Sequence, residues 1–396
     1  MARLKHVALL IETSREYGRA LLRGVTRYHR DHGEWSVYFR PVGLSDPPPA
    51  WLERWQGDGI LARINSRRMA ASIRATGLPA VDLRGSLVGL GIPEIGVDNQ
   101  AVAVMVLGHL RDRGLRHFAF FSDRRGRNRW SDQRCDLFRK AVASAGYRCE
   151  TFMSRQSNSS WESEQTQISE WLQRLPKPVG IMACNDDRGQ QLLDACVRIG
   201  AHVPDDVAVV GVDNDACLCD LALPAMTSVD VNGERNGYEA AKLLDRLMRG
   251  CKPPRRPVYF APRQIVVRQS TDTLALNDAE VATVVRFIRD RGCTGIRIED
   301  AFAQVPVSRS ALTQRFKKLL NRTPMSELTR VRLERAKQLL MDSELGIAQV
   351  ATKCGYSEAK YLITVFHREV GVTPYAFRKN SRYGDEKVEQ YSKKLD

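Results

Sequence analysis

The sequence predicts an α/β domain of two lobes over residues 1–270, followed by an all-α domain over residues 280–380. Strand-like and helix-like runs alternate through the first part, which is typical of parallel sheets covered by helices on both faces. After residue 278 the strand-like runs stop, and two helical segments resemble each other at an offset of 50 residues. A length of 396 residues fits two or three domains of ordinary size.

Short apolar runs predict the strands of the first part, and amphipathic runs predict its helices. The predicted strands are His6–Ile11, Trp35–Phe39, Asp58–Ala62, Ile95–Val97, His117–Phe121, Gly180–Ala183, Val207–Val212 and Gln264–Arg268. The predicted helices are Tyr17–His32, Ala101–Arg113, Gln133–Ala145, Trp161–Leu175, Arg188–Ile199 and Asn236–Met248. Ligands of such sheets bind at the carboxyl ends of the strands, so the residues that follow each strand are the candidates for a site.

The junction between the two parts is short and polar. The polar segment is Ser270–Asp278, and we assign residues 271–279 as the linker. Residues 381–396 form a charged tail that is poor in apolar side chains, and this composition predicts a mobile segment.

The charge of the chain favours a polyanionic partner. The formal net charge is +15, which is typical of proteins that bind nucleic acid or an anionic membrane. Residues 277–396 hold 22 Lys and Arg against 15 Asp and Glu, whereas residues 1–276 hold 39 against 31. Because the surplus per residue is about twice as large in the C-terminal part, we expect phosphate contacts there.

Cysteine usage and hydropathy predict the compartment. The nine Cys are odd in number and form no CxxC pairs, so we interpret them as reduced thiols. The apolar run Val7–Ile11 is too short for the core of a signal peptide, and no apolar run reaches the roughly 18 residues of a membrane span. We therefore expect a cytoplasmic protein without a membrane partner, a metal or a cofactor.

The internal repeat predicts two helix-turn-helix units. Each copy has a short helix, a tight turn and a second helix that begins on polar residues. The matched positions are Leu312 with Leu362, Phe316 with Phe366, and Thr323-Pro324 with Thr373-Pro374. Between the copies, Met325–Met341 has the apolar spacing of one amphipathic helix, which would hold the two units at a fixed separation.

The second helix of each unit is where a double-stranded DNA operator would be read. Ser308 and Ser357 are predicted N-caps, and the side chains just after them would face base edges. The predicted DNA-binding residues are Ser308, Arg309, Ser310, Thr313, Gln314 and Lys317 in the first copy, and Glu358, Lys360 and Tyr361 in the second. Two such helices about 34 Å apart would meet successive major grooves.

The repeat resembles the AraC/XylS family of transcription regulators. The resemblance is carried by 347–378, "IAQVATKCGYSEAKYLITVFHREVGVTPYAFR", with its glycine-aromatic turn and Gly-x-Thr-Pro. Three features depart from the family pattern: Pro306 in the first turn, His367 where Lys is common, and few long polar side chains at the start of the second reading helix. The resemblance implies sequence-specific DNA binding and, for an activator, contact with RNA polymerase.

The first part resembles LacI-type regulators and periplasmic binding proteins of type I. The matching segments are 95–114, 131–147, 180–193, 207–215, 227–232 and 265–271. This resemblance implies two lobes joined by three crossovers and a small sugar in the cleft between them. LacI-type regulators carry their DNA reader before this domain, whereas here it follows. That order resembles regulators of pentose operons, which implies a pentose effector, with D-xylose favoured, a homodimer and activation of catabolic genes.

The polar residues at strand ends suit such a ligand, because carboxylate, amide and guanidinium groups hydrogen-bond clustered hydroxyls in pairs. The predicted ligand-binding residues are Ser14, Arg15, Trp130, Arg134, Asn185, Asp186, Asp213 and Asn214. Each has a structural alternative: Asp213 with Arg134 as an ion pair, Ser14, Arg15 and Asn185 as turn or cap residues, and Trp130 as a partly buried ring. Asp187 is an equally placed alternative to Asp186, or a helix cap.

Two other function classes fit the sequence less well. A catalytic role is disfavoured because no G-x-S-x-G, Walker, H-E-x-x-H or G-x-G-x-x-G pattern occurs. A binding protein without a DNA reader is disfavoured by the missing signal peptide and by the basic helical part. A regulator that responds to a different sugar is the remaining alternative.

Overall fold

The computed structural model describes residues 3–33, 35–40, 43, 46–154, 161–272, 278–320 and 322–383. The chain forms two compact units, residues 1–273 and 274–396. The predicted tail starts too early, because a helix continues to Tyr383, and the rest of that tail, 384–396, lies outside the described residues.

The first unit contains twelve described strands and eight described α-helices. The strands are β1 Lys5–Leu10, β2 Trp35–Phe39, β3 Gly59–Ala62, β4 Ala80–Asp82, β5 Ile95–Val97, β6 His117–Ser122, β7 Cys149–Met153, β8 Val179–Ala183, β9 Val207–Val212, β10 Thr227–Asp230, β11 Val258–Phe260 and β12 Gln264–Val266. The helices are α1 Glu16–His32, α2 Arg67–Ala75, α3 Asn99–Arg111, α4 Arg129–Ser144, α5 Trp161–Arg174, α6 Asp186–Arg198, α7 Ala216–Leu221 and α8 Gly233–Met248.

Two sheets divide this unit into two lobes. The first lobe has the parallel order β2-β1-β3-β4, and the second has the order β12-β10-β9-β8-β6-β7, in which β12 alone runs antiparallel to its neighbour. The strands β5 and β11 pair with each other in a separate parallel ribbon. The chain passes between the lobes after β5, after β10 and after β11, so three crossovers join them, and the predicted α/β fold is confirmed.

Helix α8, which follows β10, packs closely against α1 in the first lobe. A Cβ atom on Gly24 would lie 1.9 Å from the Glu234 carbonyl oxygen, and one on Gly237 would lie 2.0 Å from the Leu21 carbonyl oxygen. Only glycine permits two helix backbones to approach so closely. This contact fixes the second crossover.

Four helices begin earlier than their apolar patterns predict. α3, α4, α6 and α8 start at Asn99, Arg129, Asp186 and Gly233, two to four residues before the predicted positions. Their first turns are polar and contribute nothing to the apolar periodicity. Because α4 starts at Arg129, Trp130 and Arg134 lie one helical turn apart on one helix.

The predicted linker, 271–279, is too long at both ends. Ser270 and Thr271 are buried, and the Thr271 hydroxyl contacts Thr227 Oγ1 at 2.8 Å and His109 Nε2 at 2.9 Å. Arg113 Nε donates to the Thr271 carbonyl at 2.5 Å, so the last residues of the first unit are fixed to its second lobe. At the other end, Asp278 Oδ1 accepts a hydrogen bond from Val281 N and caps the next helix.

The second unit is helical, with one apolar core for each copy of the repeat. Its helices are α9 Ala279–Arg291, α10 Ile298–Phe302, α11 Arg309–Leu320, α12 Pro324–Asp342, α13 Ile347–Lys353, α14 Ala359–Val370 and α15 Pro374–Tyr383. Leu312 and Phe316 are fully buried in the first core, and Leu362 and Phe366 in the second. We call α11 the first reading helix and α14 the second. Helix α12 contributes side chains to both cores, which confirms the double helix-turn-helix architecture.

Candidate functional site

A cleft of about 620 Å³ lies between the two lobes of the first unit. Residues that follow strands or begin helices in both lobes line it, as expected where the carboxyl ends of parallel strands face each other. The structure brings five of the eight predicted ligand residues into this cleft: Arg15, Trp130, Arg134, Asn185 and Asp213.

Asp213 stands at the end of β9 in a rare backbone conformation. Its φ is 109°, and its N–H donates to the Val229 carbonyl at 3.0 Å, which holds the strained backbone in place. Burial raises the pKa of Asp213 to about 6, although the charges of Arg134, Arg63 and Arg15 lower it. The carboxylate is therefore an anionic acceptor at neutral pH that a hydroxyl donor would stabilise.

Arg134 lies almost fully buried on α4. Its Nε donates to Asn99 Oδ1 at 2.9 Å, its Nη1 donates to the Cys184 carbonyl, and the guanidinium lies 5.3 Å from the Trp130 ring centroid. Burial lowers the pKa of Arg134, whereas the charge of Asp213 raises it. The two charged groups, which both belong to the second lobe, thus influence each other on one wall of the cleft.

Ion pairs join the two lobes beside the cleft. Arg15, which follows β1, contacts Asp187 Oδ2 of the second lobe at 3.2 Å. Arg19 of α1 contacts Asp215 Oδ2 at 2.6 Å. These contacts exist only when the lobes are close together, and they add to the stability of that arrangement.

Three predicted ligand residues lie elsewhere. Asp186 is buried behind the cleft, where its carboxylate accepts from Ser228 Oγ at 2.5 Å and from Asp215 N at 2.7 Å. Asn214 Oδ1 accepts from Arg268 Nη1 at 3.1 Å, and Ser14 is exposed. Neither Asn214 nor Ser14 lines the cleft. Successive residues of a helix point about 100° apart, so Asp187, the alternative to Asp186, is the one that faces the cleft.

Asn185 lines the cleft, but its side chain also serves the helix that follows. Its Oδ1 accepts from Arg188 N at 3.1 Å, which caps α6, and its Nδ2 donates to Asp187 Oδ2 at 3.2 Å. The capping role that the sequence left open is therefore present in the structure.

Sequence reasoning missed Arg63, Tyr17 and Asn99, which also line the cleft. Arg63 follows β3 directly, so the rule of strand ends could have found it. Its guanidinium pairs with the buried Glu12 and lies 5.1 Å from the Tyr17 ring centroid. Asn99 begins α3 and orients Arg134. Apolar periodicity does not predict that these residues line the cleft, because they belong to loops and to the first turns of helices.

The first reading helix exposes its predicted DNA-binding residues on one side. Ser308, Arg309, Ser310, Gln314 and Lys317 are exposed, and Thr313 is half-buried. Ser308 Oγ accepts from Ala311 N at 3.3 Å, as an N-cap does. Arg309 lies 3.8 Å from Glu299 and 5.6 Å from the Phe302 ring centroid, contacts that orient a long donor without burying it.

The second reading helix also exposes its predicted residues, Glu358, Lys360 and Tyr361. The predicted cap at Ser357 is wrong by one residue, because the N-cap position is Glu358, whose side chain makes no capping hydrogen bond. The Tyr361 ring lies edge-on to Tyr356, with 5.8 Å between centroids.

The described ranges hold neither a cluster of metal ligands nor a membrane-spanning helix. No group of three or more His, Cys, Asp or Glu side chains there is arranged to hold a metal ion. Within the same ranges, none of the helices combines the length and the apolar character that crossing a bilayer requires.

Known families and proteins match both units. Residues 107–271 match a family described as periplasmic binding protein-like domain, and residues 302–380 match one described as helix-turn-helix domain. The chain is 30% identical over 381 residues to the xylose operon regulatory protein of Haemophilus influenzae, which covers 94% of this chain and 98% of that protein. It is 29% identical over 382 residues to the protein of the same name from Escherichia coli K12, covering 94% and 96%.

A solved structure matches across both units as well. The structure described as the xylose-binding transcription activator xylR covers 96% of this chain and 98% of its own, with 28% identity and a TM-score of 0.63. This chain is accordingly a transcription regulator that combines a periplasmic-binding-protein-like sensing unit with an AraC-type DNA-binding unit. It belongs to the family of xylose operon regulatory proteins.

Proposed function

We propose that the chain binds D-xylose in the cleft of its first unit and, in response, activates pentose catabolic genes by binding an operator through its two reading helices. The observation that carries the proposal is the convergence of Asp213, Arg134, Arg63 and Arg15 on one cleft, in a chain whose other unit is a double helix-turn-helix. The similarity to xylose operon regulatory proteins supports the choice of sugar. The proposed regulator is a cytoplasmic homodimer that contacts RNA polymerase, and it catalyses no reaction.

The chemistry of the cleft fits a small polyol. Asp213 accepts hydrogen bonds, Arg134 and Arg63 donate them in pairs, and the Trp130 ring offers an apolar face. One further observation favours a second ligand class. Seven Arg but only five Asp and Glu line the cleft, so an acidic sugar would also be attracted.

The test is a thermal-shift titration of the full chain with D-xylose, L-arabinose, D-ribose, D-glucose and D-xylonate. A ligand at about 100 times its Kd adds about 2.7 kcal/mol of stability, which corresponds to several degrees of melting temperature for one domain. A rise with D-xylose alone supports the proposal, and a rise with D-xylonate alone replaces the neutral sugar with an acidic one. If none of the five sugars raises the melting temperature, the first unit is not a sensor of these sugars.

Helix α3 supports a route from the cleft to the linker. Its first residue, Asn99, hydrogen-bonds Arg134 in the cleft, and near its other end His109 and Arg113 bind Thr271, beside the linker. A thirteen-residue helix is about 20 Å long and nearly rigid. A shift of Asn99 on ligand binding would therefore move Thr271, the residue beside the linker.

We predict that Arg113→Met uncouples the two units. Sugar affinity should stay within about twofold of the original, whereas the sugar-dependent change in operator affinity should fall severalfold, because Thr271 loses its donor. Isothermal titration and electrophoretic mobility shifts measure the two quantities. Arg111→Met, an exposed change at the last residue of α3, is the matched control. An undiminished sugar response in a folded Arg113→Met protein would show that this contact does not transmit the signal.

We predict that Arg309→Ala weakens specific DNA binding more than non-specific binding. Loss of a bidentate base contact costs about 1–3 kcal/mol, or roughly 5-fold to 150-fold in operator affinity, whereas a phosphate contact weakens all sequences alike. Competition between operator and random duplex at fixed salt measures the ratio. Equal losses on both duplexes would place Arg309 on a phosphate.

A further inference from the structure

The two reading helices are built on one frame but present different chemistry. Both have twelve residues, and they begin at Arg309 and Ala359, an offset of 50. Their buried seams match at the same offset, Leu312 and Phe316 against Leu362 and Phe366. A residue of the first helix and its partner 50 positions later therefore occupy the same place on the reading face.

At two equivalent positions, the second helix lacks the long hydrogen-bonding side chains that the first helix carries. The first helix carries Arg309 and Gln314, which can pair with two atoms of one base. The second helix carries Ala359 and Thr364 at the equivalent places. Ala359 packs partly against the second core, so it offers no group that could replace a guanidinium.

Two exposed side chains of the second helix, those of Ile363 and Thr364, end in methyl groups. Ile363 is at the position equivalent to Thr313. Its side chain is 39% exposed and does not belong to the second apolar core. Thr364 Oγ1 donates to the Lys360 carbonyl at 3.0 Å, so its hydroxyl is engaged by the helix and its methyl group remains for an outside contact. A single exposed isoleucine is ordinary on a protein surface. What distinguishes Ile363 is its equivalence to a position on the first reading face.

The positive charge around Ile363 and Thr364 favours contact of this part of the second helix with DNA. Lys360, Arg368 and His367 are exposed on the same helix, and Lys353 is exposed on α13 just before the turn. The cationic side chains of Lys360, Arg368 and Lys353 suit the phosphates that border a groove. Thymine is the DNA base that offers a methyl group in the major groove.

We propose that the second reading helix recognises its part of the operator by contact of Ile363 and the Thr364 methyl group with thymine C5-methyl groups, whereas the first reads by hydrogen bonds from Arg309 and Gln314. This inference rests on the proposed DNA-binding function. It assigns Ile363 as a specificity-determining residue and predicts that the two parts of the operator differ, with thymine required in the second part.

The test replaces thymine by deoxyuridine, which pairs identically but lacks the methyl group. Operators are first selected from a random duplex pool with the full chain and D-xylose. Positions at which the Arg309→Ala protein loses base discrimination mark the part of the operator read by the first helix. Deoxyuridine is then placed in the remaining part, and affinities are measured for the original chain, Ile363→Ala and Thr313→Ala.

We expect deoxyuridine in the second part to weaken binding of the original chain about fourfold for each contacted methyl group, from the burial of one CH₂-sized group. The Ile363→Ala protein should bind the thymine operator correspondingly weakly and lose this sensitivity. The Thr313→Ala protein, altered at the equivalent place of the first helix, should keep it. Because Ile363 is exposed, its replacement should leave the melting temperature nearly unchanged.

Three outcomes would overturn the inference. Equal affinity of the original chain for both operators would exclude a methyl contact, and so would a deoxyuridine penalty that persists in Ile363→Ala. Normal binding by Ile363→Ala with loss of transcription would instead place this surface against another protein and also contradict the proposal. Failure of the full chain to select any sequence would contradict the proposed function itself, which is a distinguishable result.

Discussion

Asp213→Asn should abolish the response to sugar and leave binding of DNA without sugar intact. The carboxylate is replaced by a neutral amide of the same shape, so hydrogen bonds from sugar hydroxyls to a charged acceptor are lost. Such bonds are worth about 1.5–3 kcal/mol each, so two of them correspond to a loss of at least about 100-fold in affinity. Asn tolerates the φ of 109° better than Ala does, which keeps the strand end folded. Isothermal titration with D-xylose measures the loss.

The pH dependence of binding checks the same residue. Burial raises the pKa of Asp213 to about 6, so the carboxylate becomes protonated as the pH falls through that value. Sugar affinity of the original chain should therefore fall between pH 7.5 and pH 5, and that of Asp213→Asn should show no such slope. Asp194→Asn, an exposed change in the second lobe, is the matched control. Unaltered sugar affinity in Asp213→Asn would remove Asp213 from the site, and loss of DNA binding as well would indicate misfolding.

Glu327→Gln should destabilise the helical unit more than other single carboxylate changes there. Glu327 is fully buried in the first turn of α12 and pairs with Arg330 at 2.8 Å, Arg322 at 2.9 Å and Arg289 at 3.4 Å. Removal of its charge takes the shared carboxylate away from three guanidinium groups, and breaking a buried ion pair in this way costs about 3–5 kcal/mol. A loss of about 3 kcal/mol lowers the melting temperature of a unit of this size by roughly 12 °C or more.

Differential scanning calorimetry of the full chain measures this change, because the transition of the helical unit should move while that of the first unit stays. Glu334→Gln, which removes an exposed pair with Lys337 on the same helix, is the matched control and should shift the transition little. Nearly equal transitions for the two variants would show that the Glu327 cluster contributes no net stability.

Acid should act on this cluster in a defined pH window. Burial alone would raise the pKa of Glu327, but hydrogen bonding and charge from Arg330, with Arg322 and Arg289, lower it to about 2. A carboxyl group with a lowered pKa contributes stability above its ordinary pKa and loses it as the pH falls through the folded value. The original unit should therefore lose stability between about pH 4.5 and pH 2. The Glu327→Gln unit lacks this contribution and should show less change over that range.

The sequence by itself determined the architecture of both units. Short apolar runs separated by amphipathic runs predicted the two-lobed α/β unit, because a strand that is buried on both faces of a sheet is apolar along its whole length. The repeat at an offset of 50 predicted the two helix-turn-helix copies, since Leu312, Phe316 and their partners are core residues that any such fold must retain. Five of the eight ligand residues predicted from strand ends line the cleft.

Tertiary structure alone decided which polar side chain at each strand end faces the cleft. Asp186 and Asp187 are indistinguishable by pattern, yet the turn of α6 directs the first to Ser228 and the second to Arg15. Arg63 and Asn99 come from a loop and a first turn, which carry no periodicity. Asn99 meets Arg134 through the packing of α3 on α4 within the second lobe, whereas Arg63 belongs to the first lobe and shares the cleft with Asp213 because the two lobes face each other. The same holds for the linker, where Thr271 is polar in sequence but buried by three partners from distant elements. The apolar pattern of a sequence predicts which side chains are buried. The orientation of a polar side chain depends instead on the hydrogen-bond partners that the complete fold supplies.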